Sequence, residues 1–102
     1  MSGIEEGQTV RRGLEKLLES VDIEIAHMEL RLKSLAEKFG LKSLEDLERM
    51  FREGPDNPEV DLAWPEYQYL KGRLMELRRG REEILKQLKQ VHERLLHDSP
   101  RL

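Results

Sequence analysis

The chain has 102 residues, of which 38% are charged and 37% hydrophobic; this suits one domain and excludes a thick globular core. Its 18 Lys and Arg against 21 Asp and Glu leave a net charge of −3, so no global field attracts nucleic acid or an anionic membrane. Disulfides, thiolate chemistry and Cys-based zinc sites are excluded by the absence of cysteine.

The N-terminus, Met1-Ser2-Gly3-Ile4-Glu5-Glu6, is acidic and has no apolar core of a signal peptide. No apolar run approaches the ~18 residues needed to span a bilayer. These features lead us to expect a soluble, cytoplasmic protein. The abundance of Glu, Lys and Arg points to a thermophilic source.

Residues 1–8 are expected to fray. Thr9 then caps a helix over about 10–39. Its apolar stripe is Leu14, Leu18, Val21, Ile25, Met28, Leu32, Leu35 and Phe39, in alternating steps of three and four. Gly40 supplies the left-handed residue that ends it. Ser43-Leu44-Glu45-Asp46 reads as an N-cap with an acid three residues on, opening a short helix over 43–53. Leu44, Leu47, Met50 and Phe51 share one of its faces, and Gly54-Pro55 stops it.

Asn57 and Pro58 form a second cap, with Pro at the first helical position. Because Pro65 interrupts, we expect only a brief turn over 58–63, then a long helix over about 65–97. Residues 98–102 are a frayed tail. The second stripe is Tyr67, Leu70, Leu74, Leu77, Arg81, Ile84, Leu88, Val91 and Leu95. Arg81 stands where a hydrophobe is expected.

These elements specify an all-α fold, a long antiparallel coiled-coil-like hairpin with the short helix at its tip. Pairing Phe39 with Tyr67 sets Leu14 against the region of His92 and Arg81 against Ile25. Leu17, Ile23, Leu30, Met75, Leu85 and Leu96 lie off the seam. Burying one Leu or Ile contributes ~1.5–3 kcal/mol, so we expect a homodimer, paired into a four-helix bundle.

Candidate chemistry is sparse. Arg81 reads as a register-setting charge, with Glu24 or Glu29 as its expected partner across the hairpin. Glu24-Ile25-Ala26-His27 has the Glu-x-x-His spacing of di-iron bundles. Yet Ile25 and Met28 hold the seam, so Glu24 and His27 flank it, and no second such motif occurs. His92 and His97 are five residues apart and share no face. The basic run Arg78-Arg79-Gly80-Arg81 is diluted by Glu76, Glu82 and Glu83 and has no interleaved aromatics, which argues against a nucleic-acid site. A helical chorismate mutase reading also fails. Asp22, Arg31 and Lys42 are only loosely suggestive, and Leu18 stands where an early arginine is needed. The expectation is no enzyme activity, no cofactor and no metal.

Other features point to contacts. Gly72 and Gly80 each weaken a helix by ~1 kcal/mol relative to Ala and suggest close approach of another helix. Trp64, Tyr67 and Tyr69 cluster at the start of the last helix. With Phe39 and Phe51 they make up the aromatic content of the chain. We expect a small core at the tip, with Trp64 and Tyr69 partly exposed as anchors.

The run Leu35-Ala36-Glu37-Lys38-Phe39-Gly40-Leu41, then Ser43-Leu44-Glu45-Asp46-Leu47-Glu48, Phe51-Arg52-Glu53-Gly54, a Pro/Asp-rich turn and Trp64, resembles small archaeal and bacterial antitoxin-like helical proteins. The match covers about residues 28–80 and rests on caps and core aromatics. It implies a helical antitoxin that neutralises a small toxin by wrapping it. The long regular C-terminal stripe departs from that pattern and looks more like a self-associating coil. The expected function is a protein-binding module, with Ile23, Leu30, Trp64, Tyr69, Met75 and Leu85 as the partner surface. The alternative is a structural or adaptor homo-oligomer; a di-metal bundle enzyme is more remote.

Overall fold

The computed structural model describes residues 3–54 and 56–98. Among them are three α-helices and no strand: α1 (Gly3–Lys38), α2 (Leu44–Glu53) and α3 (Pro58–Asp98). The long helices α1 and α3 pack against each other as a helical hairpin, as the two stripes require.

The caps follow the sequence closely. At the end of α1, Leu41 N–H donates to the Ala36 carbonyl at 2.9 Å and Gly40 N–H to that of Glu37 at 2.9 Å. Gly40 has φ 70°, so this is a Schellman motif that needs a left-handed residue. Ser43 Oγ accepts from Asp46 N–H at 3.1 Å. Gly54, at φ 55°, closes α2 by donating to the Met50 carbonyl at 3.2 Å. Asn57 Oδ1 accepts from Glu59 N–H at 2.9 Å and so caps α3.

Four expectations are corrected. Residues 3–8 are helical rather than frayed, and Thr9 lies inside α1, where its hydroxyl donates to the Glu5 carbonyl at 3.0 Å. Residues 1–2 and 99–102 lie outside the described part, but Asp98 is helical. Pro65 does not divide α3. Pro65 is exposed, while Val60, Ala63, Tyr67 and Leu70 on either side of it are buried in a three-four rhythm. That continuous seam outweighs the one backbone hydrogen bond that proline removes. Finally, the register differs by three to four residues. Arg81 meets Asp22 rather than the level of Ile25, and Leu95 rather than a later residue lies against Gly7. A three-four stripe is satisfied equally well by a slide of about one turn, so the side chains across the seam and not the stripe set the register.

The chain forms two compact units. One comprises residues 3–24 and 77–98, paired antiparallel through the Gly7–Leu95 and Asp22–Arg81 contacts. Among the residues whose burial is described, those buried in it are Leu77, Ile84 and Val91, all on α3. On its α1 side, Leu14, Leu18 and Val21 are only half-buried. Two helices touch along a narrow strip, so a stripe wider than that strip stays partly wet.

The other unit comprises residues 25–76 and includes α2. Here three helices meet, and burial is much deeper: Met28, Leu32, Leu35 and Ala36 on α1, Leu47 and Phe51 on α2, Val60, Ala63, Tyr67, Leu70 and Leu74 on α3. Leu47 and Leu70 have no exposed surface. The third helix supplies the layer that a two-helix pair lacks.

Candidate functional site

Three of the five aromatic residues expected at the tip, Phe51, Trp64 and Tyr67, come together in the 25–76 unit around α2. Ser43 fixes where α2 starts, and Leu47 pins its apolar face, so Phe51 is delivered one turn later against α3. The Phe51 ring stacks on Tyr67 with centroids 4.4 Å apart and planes at 23°. Trp64 tilts against both, at 5.5 Å from Phe51 and 5.8 Å from Tyr67. Such pairs contribute ~0.5–1.5 kcal/mol beyond their buried area, so the three rings brace one another. Tyr67 and Phe51 are core, but Trp64 remains 42% exposed. The structure stacks Tyr67 on Phe51, where the sequence paired it with Phe39.

A cleft of about 390 Å³ opens beside this cluster. Phe51, Trp64, Tyr67 and Met75 form its apolar lining, and Glu48, Arg52 and Lys71 its charged edge. Met75 is 48% exposed. Gly72 lines the same cleft, and a Cβ built on it would meet nothing within 4 Å. Lys71 ties α3 to α2 through Glu48, with Nζ 3.5 Å from Oε1, and lies 5.7 Å from the centre of the Tyr67 ring. The lysine's affinity for its proton is raised chiefly by Tyr67, with burial opposing the rise and Glu48 adding to it. The arrangement offers a fixed aromatic anchor, a flexible thioether and two cations.

A larger cleft, about 710 Å³, lies between the end of α1 and the start of α2. Ala26, Leu30, Ala36, Leu41 and Leu44 line it, rimmed by Glu29, Lys33, Glu37 and Lys42. The sequence reading missed this cleft. Its signal was present in Leu41 and Leu44, two leucines in a turn that follows a helix whose Ala26 and Leu30 point away from the seam.

The six expected partner residues are all exposed, four of them in the 25–76 unit and two in the other. Leu30 belongs to the larger cleft; Trp64 and Met75 share the aromatic one. Tyr69 lines a shallow depression with Arg73 and Glu76, 6.0 Å below the Arg31 guanidinium. Ile23 and Leu85 lie in the first unit. Arg81, expected to set the register against Glu24 or Glu29, donates from Nε to Asp22 Oδ1 at 2.7 Å; the three-residue shift brings Asp22 level with the guanidinium, and Glu24 and Glu29 are also engaged.

Within the chain a Cβ at Gly72 or Gly80 would meet nothing within 4 Å, which leaves both glycines open on the surface, whereas a Cβ at Gly7 would sit 2.7 Å from Leu95 Cδ2. Among the described residues, no three His, Cys, Asp or Glu side chains converge as a metal site. No described helix is long and apolar enough to cross a membrane. Compared with family models, curated proteins and solved structures, the chain matches none.

Proposed function

We propose that this chain is a non-enzymatic protein-binding module of the antitoxin-like kind, and that its aromatic cleft receives an apolar helix or segment of a small toxin protein. The observation that carries this reading is Trp64. It is braced by Phe51 and Tyr67 yet 42% exposed, and it stands next to an exposed Met75. A half-exposed tryptophan on a rigid base is already ordered before binding, so little side-chain entropy is lost when it is covered. Methionine beside it adapts to the partner's shape. Arg52 and Lys71 at the edge favour an acidic rim on that partner. The resemblance over about residues 28–80 includes α2 and Trp64, the elements that build the cleft.

The test is coexpression with the toxin-like product of a neighbouring gene. The chain should restore growth and co-purify with that product. Trp64→Ala should weaken the complex about 30-fold or more, the effect of a hot-spot residue, with helicity retained. Absence of growth rescue, or a Trp64→Ala chain that binds as tightly as the parent, would reject the reading. A structural homo-oligomer remains the second reading, favoured by the half-buried stripe of α1 in the 3–24 and 77–98 unit.

A further inference from the structure

We propose that a second copy of this chain covers one flank of the unit formed by residues 3–24 and 77–98, completing there the layer that α2 supplies in the other unit. This interface is separate from the aromatic cleft and does not depend on it.

Three observations carry the inference. The first is the contrast between the units. Where α2 adds a third helix, the α1 stripe is buried at Met28, Leu32 and Leu35; where only two helices meet, Leu14, Leu18 and Val21 stay half-buried. Leu85 and Leu96 on α3 are 39% and 60% exposed. They are eleven residues apart, which puts them on one face of the helix.

The second observation places these residues on one side. The Arg81–Asp22 bond joins α3 to α1. Leu85 follows Arg81 by one turn and Leu18 precedes Asp22 by one turn, so both lie along the flank that this bond marks. Both members of the pair are close to half exposed, at 43% and 46%. A positive and a negative group side by side form a surface that complements itself under two-fold rotation, because Asp22 of one copy can approach Arg81 of the other.

The third is area. The chain exposes 7938 Å² at 12.1 kDa. A folded monomer of that mass exposes about 6,000 Å². The excess, roughly a third, is more than twice the ~800 Å² per partner that a standard interface removes. A second copy and a protein partner can therefore both be accommodated.

The test is mass measurement by light scattering or sedimentation on the full chain at about 50 μM. The expected result is twice 12.1 kDa. Leu85→Glu, at a position already exposed, should raise the dimer dissociation constant about 100-fold or more, with the helical circular dichroism signal kept. Leu62→Glu, at an 81% exposed site in the other unit, should leave the dimer intact. A monomeric parent chain overturns the proposal, as does a Leu85→Glu chain that remains dimeric. Should Leu85→Glu fail to fold, amide exchange on the unaltered chain decides the matter. Dilution should remove protection in residues 8–24 and 78–96 and leave 58–70 unchanged; any other distribution overturns the proposal. Trp64→Ala separates the two interfaces, since it should weaken toxin binding about 30-fold or more without changing the mass.

Discussion

Gly72 and Gly80 sit in helix α3 with nothing for a Cβ to strike. Alanine at either position should raise stability by about 0.5–1 kcal/mol through helix propensity, a rise of several degrees in melting temperature for a chain of this size. Gly7→Ala should gain little, because Leu95 Cδ2 must first move away from the new methyl. Gly72 also separates folding from binding. Its alanine variant should be more stable yet bind the partner less well, because the added methyl projects into the aromatic cleft.

Lys71 gives a pH prediction at the same scale. Its folded pKa is raised by Tyr67 and then Glu48, so the stabilisation is complete below the unfolded lysine value, about 10.4. It is lost as pH climbs through the higher folded value. Lys71 is exposed, so solvent screening holds the effect below about 1 kcal/mol. The melting difference between the parent and Lys71→Met should stay constant from pH 6 to 9 and shrink only above about pH 10.5.

Among the elements, α2 has the strongest local specification and α3 the weakest. Ser43→Ala removes an N-cap acceptor and should cost about 1 kcal/mol. Leu47→Ala, at a side chain with no exposed surface, should cost about 2–5 kcal/mol. Chemical denaturation distinguishes the two. In α3, Pro65 leaves the Asp61 carbonyl without its helical donor. Pro65→Ala should restore that bond and stabilise by about 1–2 kcal/mol. Helix propensity favours alanine by ~3 kcal/mol, and the greater freedom of the unfolded chain offsets about 1 of it. The same residue explains a sequence-level error. A proline two turns into a helix is a strong local stop signal, but the buried Val60, Ala63 and Tyr67 around it are held by contacts with other helices that no local rule registers.

For the whole molecule, self-association makes stability depend on concentration. If a second copy covers the Leu85 flank, the melting temperature should rise by several degrees between about 1 and 100 μM, and the Leu85→Glu chain should show no such rise. Differential scanning fluorimetry at matched buffer conditions checks this directly.

The sequence by itself determined the all-α class, the two stripes that form the hairpin, and the caps at Gly40, Ser43, Gly54 and Asn57, because helix periodicity and capping act over a few neighbouring residues. It also identified Trp64 and Tyr69 as aromatic residues left partly exposed. Tertiary structure alone decided that Arg81 meets Asp22, that Phe51 rather than Phe39 stacks on Tyr67, and that Leu41 and Leu44 close a cleft with Ala26 and Leu30. Each of those contacts depends on how far one helix slides along another. A heptad stripe is satisfied equally well by shifts of a turn, so register is chosen by the packing of specific side chains across the seam and not by the stripe.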